Sequence, residues 1–183
     1  MRILVHESTD KTQRKILEIP KEHLLHLLKI DNGYFEVIPM EDPSAHLRVY
    51  FDIETYENID VLGEALDVLN GIFKTTNENW AISNGSRIVE KDYKISYHIL
   101  SKKYKMSLND LRLLVKRLDK SYIDYTAYWF IIDYKCDEGA FRLPNQSKMG
   151  INKIGTPMTI VQGEIADFFV TDLCNLEVFS LNN

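Results

Sequence analysis

Hydrophobic and polar positions alternate in blocks along the chain, and the period of each block predicts a strand or a helix. Leu47-Arg48-Val49-Tyr50-Phe51-Asp52-Ile53-Glu54 is rich in β-branched and aromatic residues, which predicts a strand over 47–54. Ile59, Leu62, Leu66, Leu69 and Phe73 then recur at intervals of three and four, the stripe of an amphipathic helix. Trp80-Ala81-Ile82-Ser83 reads as a second strand closed by the turn pair Asn84-Gly85. Residues 94–100 alternate polar and apolar side chains and predict a third strand. Ser107 can cap a helix with the buried stripe Leu108, Leu111, Leu114, Val115 and Leu118, and Asp110 suits its first turn. Residues 127–133 are apolar enough for a central strand.

Strand, helix, strand, strand, helix, strand is the order of a split βαβ unit, so the expected class is α+β with a ferredoxin- or RRM-like palm. In that arrangement the first strand lies between the third and the fourth. Asp52 and Glu54 would then have Ser96 and His98 on one side and Asp133 on the other. Residues 1–46 predict an N-terminal α/β extension, with strands at 2–6 and 34–38 around a helix at 21–29. The palm spans 47–150, and 151–183 is a less regular C-terminal segment. Neither a Pro/Gly/Ser-rich linker nor an internal repeat divides the chain, so the expectation is a single domain.

Composition narrows the picture. At 183 residues, 45% hydrophobic and 27% charged, the chain has the length and balance of one soluble globular domain with its own core. The apolar run Ile3-Leu4-Val5 is too short for a signal peptide, and nothing later reaches a membrane span. The expectation is an intracellular protein of the cytoplasm or nucleus with no membrane partner. Cys136 and Cys174 are far apart without metal-ligand spacing and are read as packing residues. A formal net charge of -5 argues against a domain that coats nucleic-acid phosphates nonspecifically. It accommodates a catalytic domain whose acids hold metal and whose basic groups sit in one cleft.

The candidate chemistry follows from period two. Asp52 and Glu54 leave one face of their strand while Phe51 and Ile53 leave the other. Two hard oxygen donors presented together suit Mg²⁺ or Mn²⁺, although a solvated strand face produces the same spacing. Lys94, Ser96 and His98 likewise share a face, a row along which a triphosphate could lie; a lone strand histidine more often has a structural role. Downstream, Asp133 is a third acid, and Arg142 and Lys148 add a fork-shaped and a point-like cation suited to phosphate.

Taken in order, these motifs resemble those of the archaeo-eukaryotic primase superfamily, above all its primase-polymerases and the primase domains of large DNA viruses. Phe51-Asp52-Ile53-Glu54 resembles the family's hydrophobic-Asp-x-Glu motif. Lys94-Ile95-Ser96-Tyr97-His98 is similar to its Ser-x-His motif with the preceding lysine. Phe141-Arg142-Leu143-Pro144-Asn145-Gln146-Ser147-Lys148 looks like its Arg-Leu block with the following Ser-Lys. Residues 163–170 resemble a segment that follows in viral members, so the resemblance spans about residues 47–170.

The resemblance implies a template-directed primase or DNA polymerase that transfers nucleotides from NTP or dNTP to a 3′-hydroxyl. It implies two Mg²⁺ or Mn²⁺ ions held by Asp52, Glu54 and Asp133, and nucleotide phosphates held by Lys94, Ser96, His98, Arg142 and Lys148. Implied partners are a single-stranded DNA template, a primer and a helicase or primer-initiation module; the implied setting extends to a viral replication site. Two departures stand out. The interval from Asp133 to Arg142 is shorter than in many relatives, which leaves Asp124 as a rival third acid. A Cys/His zinc module and a Walker loop are missing from the sequence, which fits either a domain excised from a larger primase-helicase or a small stand-alone member. A metal-dependent nuclease and a non-catalytic nucleic-acid-binding domain of the same fold are the competing readings.

Overall fold

In the computed structural model, residues 1–6, 14–31, 33–56, 60–121, 128–130, 138–147 and 156–181 are described. The N-terminal part begins with β1 (Arg2–His6) and β2 (Arg14–Glu18), an antiparallel pair with Ile3 opposite Leu17. Helix α1 (Lys21–Leu27) follows, then β3 (Phe35–Pro39), which pairs with β1. β2 is an addition to the sequence reading, and α1 ends two residues before the expected 29.

Next come β4 (His46–Thr55) and α2 (Val61–Phe73). The Asp60 carboxylate accepts the Gly63 amide at 3.0 Å and caps α2, whose face of Val61, Ala65, Leu66, Leu69 and Phe73 is buried. β5 (Trp80–Asn84), β6 (Arg87–Val89) and β7 (Asp92–Ser107) complete the middle of the chain. β7 runs well past the expected 94–100. It does so through an irregularity at Ser101, whose hydroxyl accepts the Lys103 and Tyr104 amides at 3.1 and 2.9 Å. There the register against β4 shifts, between Arg48 and Tyr50. Helix α3 (Leu108–Ser121) starts where its cap predicts, with Ser107 Oγ accepting the Asp110 amide at 3.1 Å. The predicted stripe of Leu108, Leu111, Leu114, Val115 and Leu118 is buried. β8 (Tyr128–Phe130) is the described part of the expected strand at 127–133.

β9 (Glu138–Arg142), β10 (Thr159–Gln162) and β11 (Glu177–Val178) lie where no strand was expected. The C-terminal segment is therefore more ordered than its pattern indicates: β10 pairs with β5, and Phe168, Phe169 and Val170 are buried. Short edge strands carry too few residues for period two to stand out. Cys174, expected to pack, is exposed in a turn, and Cys136 lies outside the described residues.

The architecture is α+β with mostly antiparallel sheets and few helices. One sheet has the order β2-β1-β3-β9 and the other β10-β5-β7-β4-β8, with β6 and β11 also paired to β7. β4 thus lies between β7 and β8. The stripes of α2 and α3 join Phe51, Ile53 and Ile99 in the main hydrophobic cluster. Full burial of each such side chain stabilises the fold by roughly 1.5–3 kcal/mol. Ile3, Leu24, Leu28, Leu143 and Phe169 form a smaller cluster. Phe141 of β9 reaches the larger sheet, its ring edge-on to Tyr50 with centroids 5.5 Å apart. No helix among the described residues is long and apolar enough to cross a membrane.

Candidate active site

Register turns two short motifs into one surface. Asp52 of β4 stands opposite His98 of β7, and Glu54 opposite Ser96. Residues directly opposite in an antiparallel pair project to the same side, so these four share one face while Phe51 and Ile53 enter the core. On the far side of β4, Phe130 is opposite Asp52 and Tyr128 opposite Glu54; beyond β7, Ser83 of β5 is opposite His98.

Within this face the charges are unequally matched. Lys94 Nζ meets Glu54 Oε2 at 2.5 Å, both partly buried. Taken alone it would be an ordinary strand ion pair, worth at most about 1 kcal/mol. His98 Nε2 is 3.8 Å from Asp52 Oδ1, and the imidazole lies against the Phe141 ring with centroids 4.3 Å apart. Burial, reinforced by the Arg142 charge and opposed by the Arg142 backbone, pushes the imidazole well below its usual 6.5. It is neutral at pH 7, so its approach to Asp52 is not an ion pair. Its Nδ1 has no well-aligned hydrogen-bond partner among the described residues. Ser96 is buried, with its amide on Ser86 Oγ at 3.0 Å and its carbonyl on the Gly85 amide at 2.8 Å.

The most unusual member comes from the other sheet. Arg142, opposite Phe35 at the end of β9, carries its guanidinium across to Gly85, in the turn that follows β5 of the larger sheet. A Cβ on Gly85 would collide with Arg142 Nη2, so glycine is what lets the cation lie there. Arg142 is only 7% exposed, and its Nη1 has no hydrogen-bond partner among the described residues. Burial and the nearby Arg87 charge bring its pKa to about 10, against the pull of Asp52, Glu54 and Asp31. A buried cation in the field of two acids, with a donor left unsatisfied, costs stability unless a ligand completes it.

The loop after Arg142 is held from two sides. The Asn145 amide donates to the Met158 carbonyl at 2.7 Å, with Asn145 itself at φ 60 in the turn. Buried Gln146 accepts the Tyr34 amide at 3.2 Å and donates to the Ile30 carbonyl at 3.1 Å, just past α1. The Ser147 amide reaches Asp31 Oδ1 at 2.8 Å. Within the Arg-Leu block, then, Arg142 enters the site while Gln146 and Ser147 grip the N-terminal part.

Asp52, Glu54, Lys94, Ser96, His98 and Arg142 are brought together. Asp133, its rival Asp124, and Lys148 lie outside the described residues. Among the described residues no group of three or more His, Cys, Asp or Glu side chains could cage a metal. Two carboxylates on a partly open face nevertheless suit Mg²⁺ or Mn²⁺, which keep water and phosphate oxygens as their remaining ligands. Sequence reasoning read Gly85 only as half of a turn and passed over Arg87. The available signal was the short hairpin after Asn84-Gly85, in which Arg87 pairs with Lys94. No model of a known protein family matches the chain, and no curated protein matches it.

Proposed function

We propose that the chain is a template-directed nucleotidyl transferase of the primase-polymerase kind, working on a single-stranded DNA template and a primer with NTP or dNTP. The observation that carries this reading is the buried, incompletely bonded Arg142 lying within electrostatic reach of Asp52 and Glu54. A polyphosphate would meet the cations, and the acids would lie where a phosphate-bridging metal is needed. The finer fold reading, a split βαβ palm, draws support from the sheet order β5-β7-β4-β8 with α2 and α3 in the connections.

Asp52 and Glu54, with Asp133 as the third acid expected from sequence, would hold Mg²⁺ or Mn²⁺. When bound, such ions neutralise phosphate charge and lower the pKa of the attacking 3′-hydroxyl. The chain's own residues orient the nucleotide. Arg142 would offer a bidentate fork to phosphate oxygens, and Lys94, which pairs with Glu54, would add a point charge beside it. Neutral His98 can donate one hydrogen bond to a phosphate oxygen without adding charge beside Arg142. A helicase or primer-initiation module would supply unwinding and chain starts.

The test is incubation with primed and unprimed single-stranded templates, with NTPs or dNTPs, in Mg²⁺ and in Mn²⁺. Extension of the primed template that stops in EDTA is the expected result. Shortening of the labelled strand, or binding without any incorporation, would overturn the reading in favour of a nuclease or a binding domain.

A further inference from the structure

We infer that Arg87 is a further phosphate-binding residue of this site, closing on the polyphosphate of the incoming nucleotide from the β6-β7 hairpin, opposite Arg142. The inference rests on the nucleotidyl-transfer reading for the identity of the anion, but on geometry for the cradle itself. Arg87 is paired with Lys94 across the hairpin, so both side chains leave it on the same side. Ile88 and Tyr93, the next pair, leave on the other side and are exposed. Arg87 Nη1 donates to the Gly85 carbonyl at 3.1 Å. The same Gly85 makes room for the Arg142 guanidinium. Two guanidinium groups thus converge on one glycine.

Neither has a carboxylate within ion-pair distance among the described residues, whereas neighbouring Lys94 has Glu54. Bringing like charges together beside a buried, unsatisfied donor is unfavourable, and the Arg87 charge works against that of Arg142. A dianionic or more highly charged phosphate group between them converts that repulsion into two charge-assisted contacts. The hydrogen bond to Gly85, the one its side chain makes among the described residues, aims the Arg87 fork and leaves other donors for an anion. A role limited to bracing the Asn84-Gly85 turn would need the backbone contact alone and would not call for a second cation facing Arg142.

The test uses the full chain and inorganic triphosphate in EDTA, so that binding is read without metal or chemistry, followed by nucleotide incorporation on a primed template. Arg87→Ala should weaken triphosphate binding by about tenfold to a hundredfold and raise the nucleotide KM more than it lowers kcat. Arg87→Lys should recover part of the loss. The melting temperature of unliganded Arg87→Ala at low salt should equal or exceed that of the parent, because repulsion is removed. Triphosphate binding by Arg87→Ala as tight as the parent's, or a lowered melting temperature that Arg87→Lys does not restore, would overturn the inference. If the parent incorporates nucleotide while Arg87→Ala does so with unchanged KM, the inference fails and the nucleotidyl-transfer reading stands. If the parent binds triphosphate through Arg87 but incorporates nothing, the reading fails and the anion cradle stands.

Discussion

Two buried arginines, Arg48 and Arg142, occupy equally inaccessible positions and are used in opposite ways. Arg48 donates to three backbone carbonyls, Phe169 at 2.9 Å, Ser101 at 3.0 Å and Asp172 at 3.2 Å. Asp167, Asp172 and Glu36 favour its charge against the cost of burial. Beside it, the buried Glu36 carboxylate accepts the Val170 and Thr171 amides at 2.7 and 2.9 Å and the Thr171 hydroxyl at 2.5 Å. Lys21 adds an ion pair to Asp172. The result is a clamp that fastens residues 169–172 to both sheets. Among the described residues Arg142 makes no such set of bonds, and it lies near a second arginine, Arg87. A cation whose donors are consumed by backbone holds the fold; in the proposed nucleotide site, the Arg142 donor left unsatisfied among the described residues, beside acids and a like charge, is the one a phosphate would meet.

That contrast can be broken by mutation. The largest effect is expected at the acids: Asp52→Ala or Glu54→Ala should cut nucleotide incorporation by about a thousandfold or more, since metal-mediated charge stabilisation is worth several kcal/mol. Circular dichroism and the urea midpoint should stay close to the parent's. Primer extension at the parental rate by either variant would remove the acids from the site and, with them, the reason for leaving Arg142 unsatisfied.

The two arginines should then separate in a paired experiment. Arg48→Met strands three carbonyls and an acid in the interior and should cost about 3–5 kcal/mol of stability in urea titration. Arg142→Met should cost no more than about 1 kcal/mol, yet lower incorporation by about a hundredfold. Equal stability losses would mean that both are clamps.

His98 sharpens the picture through pH. Its folded pKa is depressed below 6.5, so as pH falls the unfolded chain takes up this proton before the folded one does. The stability tied to neutral His98 is complete above pH 6.5 and is lost as pH falls from there toward the folded value. The slope is at most about 1.4 kcal/mol per pH unit. His98→Gln should flatten urea midpoints measured below pH 6.5, and an unchanged slope would show that other groups set it.

The smallest effect is expected at Gly85. In Gly85→Ala the added methyl meets Arg142 Nη2 and must displace a flexible side-chain end. Stability should change by less than about 1 kcal/mol, while the nucleotide KM should rise about threefold to tenfold. An unchanged KM would show that the guanidinium position over Gly85 does not matter to binding.

What could be read without tertiary structure was whatever depends on local period. Asp52 and Glu54 share a face because strand side chains alternate, and the same rule aligns Lys94, Ser96 and His98. The α3 stripe, the Leu66, Leu69 and Phe73 part of the α2 stripe, and the Ser107 cap were legible because a helix repeats over enough residues to stand out, while Leu62 is only partly buried and Ile59 lies outside the described residues. The register that sets Asp52 against His98 belongs to no single segment; it is decided by which slide of β4 along β7 buries Phe51 and Ile53 with both helices. The strands β9 and β10 escaped notice because each is defined by a distant partner, Phe35–Pro39 for one and Trp80–Asn84 for the other. Arg142 looked like one of a cation pair in a loop, and Gly85 like half of a turn. Their meeting, with Arg87 on the same glycine, exists only after two sheets pack, because approach of side chains between sheets is settled by burial over the whole core and leaves no period in the chain.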